Sequence, residues 1–467
     1  MFLSTGKASM TSALTTAVVF YALTLTNFKG FSEFGFIAGT GVMMAMISYF
    51  IVLPSLLILA ERFSLLHYQS FKRYEYGHRF LRKLPFTSRT SSVLFTVIIL
   101  MTLVSVFGLF KLEFDYDFTD LRANLPSSSI VKEKLGRIFK ESLSPAVFIS
   151  ETLEEVDSIQ KYFEAKIIED TDSPSIDKVR TIRDIVPADQ KEKRALLIDI
   201  KNILTAKVIP ALKKEVGRDS KDKLLKINRL MGYLNVKDDI KISDVPLFYK
   251  NKFLNYNSTK YLSYVIPSLQ LRDGENAIAF SDDVKLIKID SKEYSGSGSF
   301  IVFADMLQTM IENGKLAIIL SFASVFLVLL LDFKSFLKIL IVATPLLSGL
   351  IWISFIMFII DLKLNFFNII VVPSIIGIGI DNGVHLYHRF LEEKGRNLRT
   401  IFLNTGGAVF MASLTTIIGF SGLVLSTHGG LKAIGTFALI GITTCFFSTI
   451  IIMPNLFNML RRKEGKN

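Results

Sequence analysis

Residues 401–425 read IFLNTGGAVFMASLTTIIGFSGLVL, and residues 1–25 read MFLSTGKASMTSALTTAVVFYALTL. The two stretches align without a gap at an offset of 400 positions. The register continues through pairs of identical residues, Gly30/Gly430, Gly35/Gly435, Gly41/Gly441, Pro54/Pro454 and Arg62/Arg462. Apolar composition alone does not align glycine and proline in this way. We therefore interpret the two stretches as copies of one repeat.

Eight stretches of the chain contain no Asp, Glu, Lys or Arg. They run over residues 8–28, 34–60, 90–110, 316–331, 339–360, 364–380, 400–431 and 433–460. A helix needs roughly 20 apolar residues to cross the hydrocarbon layer of a membrane. Hydrophobic residues make up 50% of the chain, and the mean hydropathy is +0.43. The sequence therefore predicts an α-helical polytopic membrane protein with eight transmembrane helices, and it excludes a purely soluble, collagenous or disordered chain.

The formal net charge of +12 is unevenly distributed. Residues 112–314 contain 31 of the 54 basic residues and 33 of the 42 acidic residues. The rest of the chain contains 23 basic and 9 acidic residues. Most of the remaining basic residues lie in short loops between apolar runs, a pattern typical of cytoplasmic loops. We predict that the linker 62–91, the loop 388–399 and the tail 461–467 are cytoplasmic and that 112–313 lies outside. The aromatic and basic segment 64–84 favours a helix on the anionic membrane surface over a nucleic-acid site.

These predictions divide the chain into six parts. They are two transmembrane helices in 1–61, a basic cytoplasmic linker in 62–91, a transmembrane helix in 92–111, an external α/β domain in 112–313, five transmembrane helices in 314–460 and a cytoplasmic tail in 461–467. Within the external domain we predict strands over 144–150, 178–186 and 261–268, a helix over 153–170, charged helices over 189–234 and a strand that runs into a helix over 298–315.

The repeat also sets the size of one unit. Both copies enter the membrane from the same side, so the repeat is of the parallel kind found in some transporters. One unit then covers about 400 residues, from 63 to 462, and the pair of helices in 1–61 ends an earlier unit. We therefore expect the chain to be the C-terminal part of a protein of roughly 800 residues, with the N-terminal half as its partner.

Asp381 is a carboxylate embedded in an apolar stretch, SIIGIGIDNGVHLYHRF at 374–390. An acid there costs several kcal/mol unless it is paired, hydrated or protonated, which suits a group that takes up and releases protons. We predict hydroxyl partners on the next helix, and we expect three glycines to let neighbouring helices approach. His385, one turn away, is a candidate for passing protons inward. The hydroxyl partners are Thr415, Thr416 and Ser413, and the glycines are Gly377, Gly379 and Gly383.

Each of these assignments has a structural alternative. The apolar run ends at Ile380, so Asp381 is also compatible with a helix end at the membrane surface. Thr415 and Thr416 are compatible with hydroxyls that bond back to their own helix backbone. His385 is compatible with an interfacial histidine.

The chain resembles half of a resistance-nodulation-division (RND) transporter, in the branch that exports mycobacterial lipids and hopanoids (MMPL-type). The resemblance rests on LEFDYDFTDLRANLP (112–126), on the GxGxD element within 374–390 and on GGAVFMASLTTIIGFSGLVLS (406–426). It implies an exporter of lipid or other hydrophobic substrates driven by the proton-motive force. It also implies a porter-like external domain of split βαβ character, in the periplasm of a bacterium, with the helices in its inner membrane.

The resemblance extends to the proton relay. It implies roles for Asp381, Asn382, Thr415, Thr416 and His385. Members of the branch commonly carry Asp-Tyr or Asp-Asp where this chain carries Asp381 followed by Asn382, a residue that does not titrate. The second position of the pair therefore differs from the pattern of the branch.

The residues leave some other functional classes open and argue against others. A non-transporting regulator similar to sterol-sensing membrane domains and a protein-export accessory of the same superfamily stay open, as does homo-oligomerisation. The expected partners are the N-terminal half, the hydrophobic substrate and membrane lipids, and not nucleic acid. The lone Cys445 and the lack of GxxxxGK[ST] and HExxH spacing argue against an enzyme, a cofactor and a metal site.

Overall fold

The structure is a computed structural model that describes residues 5–63, 88–116, 144–170, 175–214, 218–234, 238–268, 271, 273–396 and 398–464. The described residues form two compact units. The helical unit comprises those within 1–133 and 306–467, together with 273 and 274. The α/β unit comprises those within 134–271 and 275–305.

Helices make up most of the described chain. In chain order they are α1 (Thr5–Ala22), α2 (Lys29–Arg62), α3 (Ser88–Leu109), α4 (Leu153–Glu169), α5 (Gln190–Ile203), α6 (Ile209–Lys214), α7 (Arg218–Tyr233), α8 (Leu247–Phe253), α9 (Gly274–Val284), α10 (Ser299–Phe333), α11 (Phe336–Ile359), α12 (Phe366–Ile369), α13 (Val371–Glu392), α14 (Leu398–Val424) and α15 (Gly429–Glu464).

Seven helices in the described residues are long and apolar enough to cross a membrane. They are Gly6–Leu25, Lys29–Arg62, Ser299–Phe333, Phe336–Ile359, Phe366–Glu392, Leu398–Val424 and Gly429–Arg461. An eighth apolar helix, Phe95–Leu109 within α3, is shorter. Each of the eight predicted apolar runs thus coincides with a helix.

The two copies of the repeat pack in the same way. A Cβ added to Gly35 of α2 would lie 2.3 Å from the carbonyl oxygen of Phe20 on α1. A Cβ added to Gly435 of α15 would lie 3.0 Å from the carbonyl oxygen of Phe420 on α14. These are the same two repeat positions, and in both copies the glycine brings the second helix against the backbone of the first. The sequence repeat is therefore also a structural repeat.

Helix α13 lies at the centre of the helical unit. It is buried on almost every side, with Ile376, Ile380 and Val384 at 0% exposure. It packs on α1, α11, α14 and α15. Polar residues on its buried sides are therefore surrounded by protein, whereas Asp381 and His385 are half-buried.

The α/β unit contains a three-stranded sheet and a two-stranded hairpin in its described part. The strands are β1 (Ala146–Ser150), β2 (Ile176–Arg180), β3 (Tyr261–Pro267), β4 (Leu286–Ile289) and β5 (Lys292–Ser295). β3 lies between β1 and β2 and is antiparallel to both, so β1 and β2 are parallel and are joined through α4. This is a split βαβ arrangement. Phe148 of β1 packs with Ile159 and Phe163 of α4, all fully buried.

Two predicted elements of this unit are wrong in part. The strand expected over 178–186 ends at Arg180, because the Thr181 side chain accepts a hydrogen bond from the Arg183 backbone N–H and starts a 3₁₀ turn. The stretch 298–315 contains no strand and is helical from Ser299. Its apolar residues follow a three-residue spacing, with Ile301, Ala304 and Leu307 all buried, as a helix requires.

The compact α/β unit is also narrower than the predicted domain 112–313. Phe114 forms a bridge with Leu364 inside the helical unit, and the residues from Met306 onward belong to that unit as well. The predicted surface helix over 64–84, residues 117–126 of the acidic segment and the last three residues of the tail lie outside the described residues.

Candidate functional site

The chain leading into α13 is held by a local cap. The Asn365 side chain accepts a hydrogen bond from the Asn368 backbone N–H at 3.0 Å. The short α12 follows, and the helix is interrupted at Ile370. Pro373 accounts for the interruption, because it has no N–H to donate to the carbonyl of Ile369.

Asp381 lies in the middle of α13. The apolar run of the sequence ends at Ile380, but the helix continues to Glu392. The neighbouring Ile380 and Asn382 are buried. A helix-capping role for Asp381 at a surface end is therefore excluded.

A hydroxyl from the first copy of the repeat contacts this acid. Thr16 Oγ1 of α1 lies 3.2 Å from Asp381 Oδ2 and 3.4 Å from Oδ1. It also lies 3.0 Å from the carbonyl oxygen of Gly377 on α13. In the part of the chain that the structure describes, no basic side chain forms an ion pair with this carboxyl.

The position of the Thr16 hydroxyl suits both protonation states of Asp381. A hydroxyl has one hydrogen to donate and two lone pairs that accept. When Asp381 is ionised, Thr16 donates to the carboxylate. When Asp381 is protonated, its own O–H donates to Thr16, which is then free to donate to Gly377. Thr16 is thus hydrogen-bonded to Asp381 with and without the proton, and it donates to Gly377 when the proton is present.

The predicted partners on α14 are placed differently. Thr415 Oγ1 and Thr416 Oγ1 donate to the carbonyl of Ala412 on their own helix, at 2.8 and 2.9 Å. The expectation that they contact Asp381 is wrong, because α1 occupies that side of α13. The threonine that contacts Asp381 is Thr16, the repeat equivalent of Thr416.

Asn382 and Ser413 form a separate contact. Ser413 Oγ lies 3.4 Å from Asn382 Oδ1, and both residues are buried. This contact joins α13 to α14 on a different side from Asp381. Ser413 thus contacts the residue beside the predicted acid.

The three glycines of α13 face three different neighbours. An added Cβ at Gly377 would meet Val19 of α1 at 3.5 Å, and one at Gly383 would meet the Val342 carbonyl oxygen of α11 at 2.6 Å. One at Gly379 would lie between Leu346 of α11, at 2.9 Å, and Cys445 of α15, at 3.0 Å. Gly383 is the tightest, because a backbone atom cannot move away as a side-chain end can.

A buried histidine–carboxyl contact near the end of α13 was not singled out from the sequence. His388 Nε2 lies 2.6 Å from Asp332 Oδ2 of α10, and the two side chains are 9% and 7% exposed. Lys7 Nζ of α1 lies 3.5 Å from Asp332 Oδ1. The half-buried His385 lies between His388 and Asp381 along the helix. The usable signals were the two histidines in HLYH and the position of Asp332 directly after an uncharged run.

The comparisons with known proteins agree with this architecture. The sequence model of the MMPL family matches residues 1–103 and 295–466. The hopanoid transporter HpnN of Burkholderia multivorans is 23% identical over an alignment of 519 residues, which covers 97% of this chain and 56% of that protein. HpnN of Rhodopseudomonas palustris is also 23% identical, with 96% and 55% covered. The chain thus spans little more than half the length of these relatives.

A solved structure has a similar fold. The hedgehog release protein Disp of the water bear Hypsibius dujardini has a TM-score of 0.54 at 15% identity, and the match covers 97% of this chain and 58% of Disp. At this identity the likeness concerns the fold alone.

Proposed function

Because the chain belongs to the MMPL family, we propose that it is a membrane unit of a transporter that exports a lipid or other hydrophobic substrate and is driven by the proton-motive force. Asp381 is the group that takes up and releases the coupling proton. The observation that supports this role is the contact of Thr16 with both the Asp381 carboxyl and the Gly377 carbonyl. The proposed location is a bacterial inner membrane, with the α/β unit on the periplasmic side.

The proposed coupling follows from the shared hydroxyl. An ionised Asp381 accepts the hydrogen of the Thr16 hydroxyl. A protonated Asp381 donates its own hydrogen to Thr16, which then donates to the Gly377 carbonyl. Hydrogen bonds to a charged group contribute about 1.5–3 kcal/mol, roughly twice those between neutral groups. The α1–α13 contact therefore changes from one hydrogen bond to a charged carboxylate in the ionised state to two hydrogen bonds between neutral groups in the protonated state. This difference is the means by which protonation favours a movement of one helix against the other.

The proposed substrate class rests on the family. Two relatives are named hopanoid transporters, and we propose a hydrophobic substrate of that kind for this chain. The substrate passes without covalent change, so Asp381 has no role beyond proton exchange.

The proposed partner is a first repeat unit. Thr16, at the end of the earlier unit, contacts Asp381 of the second unit. Thr416 is the equivalent of Thr16 in the second unit, so we propose that it contacts the corresponding acid of the first unit. Added Cβ atoms at Gly419 and Gly422 of α14 meet nothing within 4 Å, and Thr415 is exposed. This open side of α14 supports the proposal of a partner helix there.

The experiment is transport into inverted membrane vesicles driven by an imposed pH gradient, in a host that supplies the first repeat unit. Asp381→Asn preserves size and hydrogen bonding but removes the titratable proton. We expect the initial rate to fall more than tenfold at normal membrane abundance, a change of at least about 1.4 kcal/mol in the barrier.

Asp361→Asn is the matched control. Asp361 has a left-handed backbone with φ of 53° in the exposed turn after α11, a conformation that asparagine also adopts. Its transport rate should stay at the wild-type level. Wild-type transport by Asp381→Asn would contradict the proposed role and favour the non-transporting regulator or the export accessory.

A further inference from the structure

A second titratable cluster lies beside the proposed proton site. Asp332 of α10, His388 of α13 and Lys7 of α1 meet at one end of the helical unit. The acid and the histidine are almost completely buried, whereas the Lys7 side chain is 62% exposed. The cluster therefore joins a buried pair to a residue that reaches solvent.

The cluster is aligned with Asp381 along α13. His388 follows Asp381 by seven residues, which is two helical turns or about 10 Å on the same face. His385 lies between them, one turn from each. The helix thus carries an acid and two histidines in a row, from its middle to the end at which Lys7 lies.

Helix α1 follows the same row from the other side. It runs antiparallel to α13, since Val19 meets Gly377 near the middle of α13 whereas Lys7 reaches Asp332, the partner of His388, near its end. Between them, Thr16 of α1 contacts Asp381. Polar side chains of α1 therefore accompany the row along its length, within a bundle that is otherwise apolar.

We propose that the Asp332–His388 pair receives the proton that Asp381 releases and passes it to solvent beside Lys7. This inference rests on the proposed function of Asp381. The O–H bond on Asp381 breaks, the proton crosses the intervening turns by way of the His385 ring, and an N–H bond forms on the neutral His388 imidazole. Loss of that proton to water near Lys7 restores the neutral ring.

The charges around the pair suit a transient imidazolium. Asp332 balances the positive ring when His388 is protonated, and Lys7 pairs with Asp332 when the ring is neutral, so Asp332 always faces a cation. His385 is the other titratable group on this face of α13. Apolar rings enclose the remainder, with Phe333 centred 4.9 Å from the His388 ring and Phe457 of α15 stacked 4.3 Å from Phe390.

The experiment follows the protonated carboxyl of the full chain in liposomes by infrared spectroscopy after a rapid jump to higher pH. The carboxyl band of Asp381 is identified by its absence in Asp381→Asn. We expect the band to decay at least tenfold more slowly in His388→Gln and in Asp332→Asn. His428→Gln is the matched control, because His428 lies in the loop between α14 and α15, outside the row, and the decay should be unchanged.

A static ion pair gives a different result. If the band decays at the wild-type rate in His388→Gln, the proposed route is overturned while Asp381 keeps its role. If no band is lost in Asp381→Asn, both proposals are overturned.

Asp332→Asn covers the case in which His388→Gln does not accumulate. An Asp381 band that decays at the wild-type rate in Asp332→Asn overturns the proposed route in the same way.

Discussion

At the scale of single residues, Thr16 is the most sensitive test of the site, because its hydroxyl serves both states of Asp381. Thr16→Val keeps the shape of the side chain and removes the hydroxyl. A hydrogen bond to a charged group contributes about 1.5–3 kcal/mol, so we expect proton-driven transport in the vesicle assay to fall by roughly tenfold to a hundredfold. Thr16→Ser restores the hydroxyl and should restore most of the rate. A Thr16→Val variant with the wild-type rate would contradict the shared-hydroxyl mechanism.

The same residues show how far the sequence predicts the site. An acid in an apolar run draws attention to Asp381, because burying a charge is costly, and the structure places this residue inside α13 in contact with Thr16. The sequence predicts its hydroxyl partners at Thr415, Thr416 and Ser413, because α14 follows α13 in the chain. The partner is instead Thr16, 365 residues away. The repeat contained this information, but the choice between the two copies depends on which helix packs against α13.

At the scale of helices, the pairing of α1 with α2 rests on Gly35. A methyl group there would lie 2.3 Å from the Phe20 carbonyl oxygen, so Gly35→Ala forces the two backbones apart. Overpacking of this kind costs about 1–3 kcal/mol, and we expect a lower midpoint of thermal unfolding for the purified chain in detergent. Gly41→Ala on the same helix is the control, since nothing lies within 4 Å of its added Cβ. It should be neutral or stabilising by up to about 1 kcal/mol. Equal midpoints for the two variants would show that close packing at Gly35 does not hold the pair.

The helices and strands also differ in how well the sequence predicts them. Each long apolar run became a helix, because a backbone in lipid must satisfy its own hydrogen bonds. Elements of the α/β unit were less predictable, since short segments depend on local side chains. The strand ending at Arg180 illustrates this. Thr181 caps the next turn, and Arg183 binds Asp157 of α4 through two hydrogen bonds of 2.7 Å, neither of which the apolar pattern contains.

At the scale of the whole molecule, charge distinguishes the two ends of the helical unit. Basic residues gather where α10, α13 and α15 end and where α11 and α14 begin. They are Lys334, Lys338, Arg389, Lys394, Arg396, Arg399, Arg461 and Arg462. The turn between α11 and α12 at the other end carries Asp361 and Lys363, which cancel. The positive-inside rule therefore predicts that the basic end is cytoplasmic.

This orientation is testable with single cysteines, because the one native cysteine, Cys445, is buried. Thr400→Cys places an exposed thiol at the start of α14, and Ala206→Cys places one in the α/β unit. Since α10 leads from the α/β unit into the membrane and ends at the basic end, it crosses once, and we predict that the two thiols lie on opposite sides. A membrane-impermeant maleimide added to intact cells with a permeable outer envelope should label Cys at 206 and leave Cys at 400 unlabelled until the membrane is opened. Labelling of 400 in intact cells would reverse the predicted topology. It would also place the Lys7 end of the proton row outside, so that the proposed route from Asp381 through His388 would carry protons away from the cytoplasm.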